Sequence, residues 1–341
     1  MLTPKKRLEM SLRGEPVDRL PCVCPGGMMT MIVSEVMDIT ENYWPEAHSD
    51  PALMSGLAAG MYKNGGFENF GVPFCMTVEA EAMGARVSLG TRVNEPRVTA
   101  YPITSVAQWR DLTPIDVESG RRIVVTDAIR LLKAMDPDVP VVANLTGPVS
   151  LAASLMEPVV YYKELLKRPG AAHEMMDFVT RNLIAFGRAQ LQAGADVLTI
   201  SDPSGTGELL GPRMFREYAL PCLNRIIDSL GHLAGVGTII HICGRLKGIY
   251  RELNLLKSDA ISFDSITDVK QVAENVTGKV LMGNVSTIAL ETGTPRKIRM
   301  MSMACMDHGV RILAPACGVG PRTSLENIRA MVDAAKGYGA K

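Results

Sequence analysis

The sequence predicts an α/β protein, a single (β/α)8 barrel domain over residues 1–341. Three observations predict it. Eight short apolar runs recur along the chain, and they are continuous rather than alternating, as in strands buried on both faces of a parallel sheet. Helical segments with recognisable start and stop residues lie between them. Polar and reactive residues fall just past the runs, where such barrels carry their chemistry.

The elements follow in order. Thr3, Pro4 and Gly14 read as the N-cap, first residue and stop of an N-terminal helix. Residues 20–24 are the first apolar run and residues 70–74 the second. Residues 78–102 alternate more and contain Gly84, Gly90 and Pro96, which predicts a β-rich excursion near 78–102 between units two and three. The later runs are residues 139–144, 196–200, 238–244, 260–264, 280–284 and 310–314. Residues 171–193, 213–230 and 324–336 have helical spacing, each followed by glycine, and Thr323-Ser324-Leu325-Glu326 reads as a capping box. Past the runs stand Cys24, Cys75 with Glu79 and Glu81, Thr146, Asp202, His241 with Cys243, Asp264, Asn284 and Cys317.

With 47% hydrophobic residues the chain has ample material for a core. Its formal net charge is zero, which recommends neither nucleic acid nor a membrane surface as partner. No apolar run has the length of a membrane span. The N-terminus runs into an amphipathic helix rather than an apolar signal segment, so a cytoplasmic protein is expected. The seven cysteines are scattered and odd in number, which argues against a disulfide framework and leaves them as core residues, metal ligands or redox groups.

The fifth run, Thr238-Ile239-Ile240-His241-Ile242-Cys243-Gly244, ends in two soft-metal ligands. Residues two apart in a strand face the same side, so His241 and Cys243 converge. Cys317, past the eighth run in Leu313-Ala314-Pro315-Ala316-Cys317-Gly318, is a third candidate. One imidazole and two thiolates suit a catalytic Zn²⁺ that keeps its fourth position open. An H-x-C pair alone is a weak motif, and the same residues also fit a core histidine among buried cysteines. Two thiolates cancel the charge of the dication. Such a centre suits a substrate thiol held as a nucleophilic thiolate better than it suits hydrolysis. Asp264 reads either as an occupant of the open position or as a capping carboxylate.

The chain resembles the zinc-dependent corrinoid methyltransferases of the uroporphyrinogen decarboxylase superfamily, especially the methylcobamide:coenzyme M methyltransferases. The resemblance runs through Thr3-Pro4-Lys5-Lys6-Arg7, Gly14-Glu15-Pro16-Val17-Asp18-Arg19-Leu20-Pro21, Leu145-Thr146-Gly147-Pro148 and Ser201-Asp202-Pro203-Ser204-Gly205-Thr206-Gly207-Glu208. Its most specific parts are His241-Ile242-Cys243-Gly244 and Ala314-Pro315-Ala316-Cys317-Gly318. It implies a uroporphyrinogen decarboxylase-type barrel and a methyl group passed between a corrinoid protein and a small thiol such as coenzyme M. It also implies zinc on His241, Cys243 and Cys317, with an acidic ligand near Asp264. Asn284, Asp202 and Glu79 are further pocket candidates, or equally strand-end hydrogen bonders. The corrinoid proteins' D-x-H-x-x-G signature is not matched by residues 228–235, whose spacing differs, so the corrinoid is expected on a separate partner protein. Residues 21–28 lack the arginines of the decarboxylases, which disfavours decarboxylation. Demethylation of a small methylated substrate, the reverse reaction, stays open, as does a barrel whose zinc is only structural.

Overall fold

The computed structural model describes residues 1–339. Its strands are β1 (Phe70–Val72), β2 (Arg86–Ser88), β3 (Arg97–Ala100), β4 (Val141–Thr146), β5 (Val197–Ser201), β6 (Gly237–Ile242), β7 (Ala260–Phe263), β8 (Val280–Val285) and β9 (Ile312–Pro315). Seven of them form one sheet in the order β1-β4-β5-β6-β7-β8-β9, and every pairing in it is parallel. Apart from half-buried Gly237 at the start of β6, every residue of these strands is buried, as their continuous apolar character requires.

The first apolar run departs from expectation. It contributes a single parallel bridge, Cys22 to Leu313, in place of a full strand. Pro21 lies within it and Pro25 follows it, and proline has no N–H for a ladder. The run nonetheless closes the barrel. On one side Val23 N–H donates to Leu313 O and Leu313 N–H to Pro21 O, both at 2.9 Å, and on the other Glu68 N–H donates to Cys22 O at 2.9 Å. There the Asn69 side chain imitates a neighbouring strand: Cys24 N–H donates to its Oδ1 at 2.9 Å, and its Nδ2 donates to Cys24 O at 2.8 Å.

The excursion after β1 is also corrected in part. Residues 78–82 form a helix, Val78–Ala82, and only then does the antiparallel hairpin of β2 and β3 follow. Val-Glu-Ala-Glu-Ala alternates like a strand, yet glutamate and alanine are strong helix formers.

The helices keep to their punctuation. Thr3 Oγ1 accepts from Lys6 N–H at 3.2 Å and starts the helix Pro4–Leu12. Gly14 follows its end with φ +70°, which glycine adopts without strain. The segment 213–230 is helical throughout, with a π-helical turn at Phe215–Ala219 between Gly207–Met214 and Leu220–Leu230, and the kink at Gly211 and Pro212 lies just before it. Ser324, not Thr323, caps the last helix, Leu325–Gly337, by accepting from Asn327 N–H. Among the described residues no helix is long and apolar enough to cross a membrane.

Candidate metal centre

The site is built at the C-terminal end of β6. His241 is the penultimate residue of that strand and Cys243 follows its last, so both side chains leave on one side. The chain then turns at Gly244 (φ +74°). Three strands along the sheet, β9 ends at Pro315 and delivers Cys317. One ligand atom from each of His241, Cys243 and Cys317 lies within 4.8 Å of the others. His241 Nε2 is 3.1 Å from Cys243 Sγ, and Cys243 Sγ is 3.6 Å from Cys317 Sγ. His241 is fully buried, whereas the two cysteines are half-buried and face the barrel mouth. Among the described residues no other group of at least three histidine, cysteine or acidic side chains meets this spacing.

The electrostatics suit a cation. A single hydrogen bond, its proton between the two sulfurs, joins Cys243 and Cys317. The hydrogen bond with Cys317, then burial, pushes the Cys243 thiol up. The hydrogen bond from Cys243, opposed by burial and helped by His241, pulls the Cys317 thiol down. A soft dication replacing that proton would find one imidazole nitrogen and two sulfurs, the donor set of a tetrahedral site with one open position. Residues present therefore fit zinc.

The surroundings hold the ligands in place. Ser262 Oγ lies 3.0 Å from His241 Nδ1 and 3.5 Å from Met29 Sδ. The loop carrying Met29 lies over the other half of the site, and a Cβ on Gly318 would come within 2.5 Å of Met28 O. Only glycine at 318 admits that approach. Cys24, outside the ligand cluster, gives its S–H to Met29 O at 3.1 Å. Serine in a strand and methionine in a core carry no signal in a sequence, so Ser262 and Met29 were not expected here.

The expected carboxylates and amide lie near the ligand loops without joining the cluster. Asp264, half-buried, accepts from Gly244 N–H at 3.3 Å with Oδ2 and from Ile266 N–H at 3.1 Å with Oδ1. Asn284 Nδ2 donates to Asp264 O at 3.0 Å and Thr267 O at 2.9 Å, fixing the loop after β7. Asp202 is fully buried and caps the helix Pro148–Leu155: it accepts from Val149 N–H, Ser150 N–H and Ser150 Oγ at 3.2, 2.8 and 2.6 Å. Burial raises its pKa, opposed by these bonds. Glu79 is buried too, and accepts from Thr146 N–H and Oγ1 at 2.8 and 2.9 Å. Asp202 and Glu79 thus brace the loops after β4 and β5.

Residues 3–338 match the uroporphyrinogen decarboxylase (URO-D) family. The chain belongs to the uroporphyrinogen decarboxylase family. Within this family it aligns end to end with proteins of another activity. It is 32% identical over 338 residues to the methylcobamide:CoM methyltransferase MtbA of Methanosarcina acetivorans, covering 98% of each chain. It is 34% identical over 348 residues to the methylcobamide:CoM methyltransferase MtaA of Methanosarcina barkeri, covering 99% of each. The solved structure of a methyltransferase from Methanosarcina mazei superposes with a TM-score of 0.92 at 32% identity, covering 100% of both chains. The closed parallel sheet is accordingly the (β/α)8 barrel of the uroporphyrinogen decarboxylase type.

Proposed function

We propose that this member of the uroporphyrinogen decarboxylase family, one barrel domain over residues 1–341, is a zinc-dependent methyltransferase. It moves a methyl group from a methylated corrinoid to a small thiol of the coenzyme M kind. The observation that carries the reading is the convergence of His241 Nε2, Cys243 Sγ and Cys317 Sγ at the barrel mouth. The end-to-end likeness to methylcobamide:CoM methyltransferases supports it.

His241, Cys243 and Cys317 would hold the metal, and zinc there supplies a Lewis acid that keeps a substrate thiol deprotonated near neutral pH. The chain's own residues orient the reaction. The β6 and β9 ends fix the ligands, and the bonded loop of Asp264 and Asn284 borders them. Asp264, tied to Gly244 beside Cys243, is assigned as the carboxylate that closes the site when no thiol is present. Asn284 is assigned to position Asp264, and Asp202 to position the loop after β4. The thiolate sulfur forms a bond to the methyl carbon while cobalt keeps both electrons of the bond that breaks. The corrinoid arrives on a separate partner protein presented to the mouth. Seven unpaired cysteines suit a reducing compartment, the cytoplasm.

The test mixes zinc-loaded protein, methylcobalamin and coenzyme M or other small thiols, and follows loss of the methyl–cobalt absorption. Turnover is expected, and Cys317→Ala should abolish it while leaving the circular dichroism spectrum intact. Absence of turnover with every thiol, together with release of carbon dioxide from porphyrinogens, would replace the reading with decarboxylation. Supplying the methylated thiol and reduced corrinoid measures the reverse reaction.

A further inference from the structure

We infer that Ser262 is the positioning residue of the metal centre: its hydroxyl holds the Nδ1–H of His241, so that Nε2 is the nitrogen offered to the metal. The inference rests on the zinc reading and adds a residue to it. β6 and β7 are in register with His241 opposite Ser262, which puts both side chains on the same side of the sheet. Ser262 Oγ is 3.0 Å from His241 Nδ1, while Nε2 lies 3.1 Å from Cys243 Sγ. Both residues are fully buried, so water does not compete for the ring.

A neutral imidazole has one N–H and one lone pair. A partner that accepts at Nδ1 therefore places the lone pair on Nε2, toward the sulfurs. Accepting that proton leaves the serine hydrogen to be given elsewhere, and Met29 Sδ stands 3.5 Å from Ser262 Oγ as its acceptor. Met29 itself is held by the loop that packs on Gly318 and accepts at its backbone oxygen from Cys24. The orientation of His241 is thus set from β7 and from the loop after the first apolar run together.

The chemical type of the partner has a consequence. A carboxylate at 262 would make the imidazole a stronger donor and add negative charge beside two thiolates, disfavouring ionisation of a third thiol. A hydroxyl fixes the ring and adds no charge. This matches a centre whose work is to stabilise a substrate thiolate.

Ser201 supplies the control. It pairs with His241 in register from the other side, on β5, and is fully buried, yet its hydroxyl has no hydrogen-bond partner among the described residues. Zinc affinity is measured by competition with a chromophoric chelator in wild type, Ser262→Ala, Ser262→Thr and Ser201→Ala, and the Co²⁺-loaded proteins are compared by their sulfur-to-cobalt absorption. Ser262→Ala should weaken zinc binding about 10- to 100-fold, the range for losing a ligand's hydrogen-bond partner. It should also shift the cobalt bands. Ser262→Thr should recover most of the affinity and Ser201→Ala should match wild type. Metal-free melting temperatures show which variants are folded, and a misfolded alanine variant leaves the threonine variant to decide by its cobalt bands. Zinc affinity of Ser262→Ala within about twofold of wild type, or an equal loss in Ser201→Ala, overturns the assignment. A wild-type protein that takes up no zinc overturns the zinc reading itself, a separate outcome.

Discussion

At the scale of single residues, His48 couples protonation to folding. It is 1% exposed, packed against Trp44 and Phe74, and neither ring nitrogen has a partner among the described residues. Burial first, and Arg121 second, push its pKa from 6.5 down to about 3. The folded protein therefore keeps His48 neutral while the unfolded chain takes up a proton below 6.5. Stability should fall as pH drops from 6.5 toward 3, by about 1.4 kcal/mol per unit for this one proton. His48→Phe removes the proton and two unpaired buried nitrogens. It should stabilise the protein and flatten this slope, read from urea unfolding at pH 7 and pH 5. Equal slopes in both proteins would assign the acid sensitivity elsewhere.

The cluster of His241, Cys243 and Cys317 was legible for the same reason that Ser262 was not. Histidine and cysteine are scarce, and three of them at strand ends stand out in a sequence. A serine becomes informative only when the register places it opposite His241. Asp202 was seen in the right region, but its task is set by Val149 and Ser150, some fifty residues earlier in the chain. No local pattern shows that its carboxylate caps a helix instead of facing a substrate.

At the scale of elements, the N-terminal helix is fastened by an ion pair. Arg7 Nε and Nη2 donate to the two oxygens of Asp18 at 2.8 and 3.1 Å, and Leu2 N–H adds a bond at 3.0 Å. The Arg7 hydrogen bond is the main cause that pulls the Asp18 pKa from 3.8 to about 2. A depressed carboxyl stabilises the fold above its unfolded pKa, and that contribution fades as pH falls through the folded value. Asp18→Asn should cost up to about 1 kcal/mol at neutral pH, because water screens this exposed carboxylate, and the difference from wild type should shrink between pH 4 and pH 2. Thermal or denaturant melts at both ends of that window check it; a difference independent of pH would point to packing instead of charge.

The strands were readable because their runs are apolar throughout, and the helices because their caps are the usual ones, as Thr3 and Ser324 show. Two elements escaped. Residues 78–82 alternate like a strand but are made of helix formers. The first run looked like a strand, but Pro21 within it, Pro25 after it and the Asn69 side chain turned it into a seam of a few bonds. Side-chain mimicry of backbone is a property of the assembled barrel.

At the scale of the whole molecule, the centre joins the ends of β6 and β9 across β7 and β8. Each of these strands is already paired in the sheet, and the ligand atoms are gathered by protein contacts alone. The barrel should therefore keep its fold whether or not a metal is bound. A strong chelator is expected to abolish methyl transfer, leave far-ultraviolet circular dichroism unchanged, and be reversed by added zinc. Cooperative unfolding on chelation would mark the metal as structural. What the sequence could not convey at this scale is how the excursion divides: residues 78–102 read as β-rich, and only the folded chain shows a helix ahead of the β2–β3 hairpin.

The two sulfurs that bracket the site have a further consequence, for shelf life. At 3.6 Å they need approach by only about 1.5 Å to reach disulfide length, and half-buried positions leave them open to dissolved oxygen. Metal in the cleft would act as a protecting group, and its loss in air would lock the cleft shut. Metal-free protein left in air should lose two hydrogens by mass, show a Cys243–Cys317 crosslink in a tryptic map, and refuse zinc until treated with a reductant. Protein stored with zinc should show none of this. A metal-free sample that keeps both thiols titratable after prolonged aeration would rule out this route to inactivation.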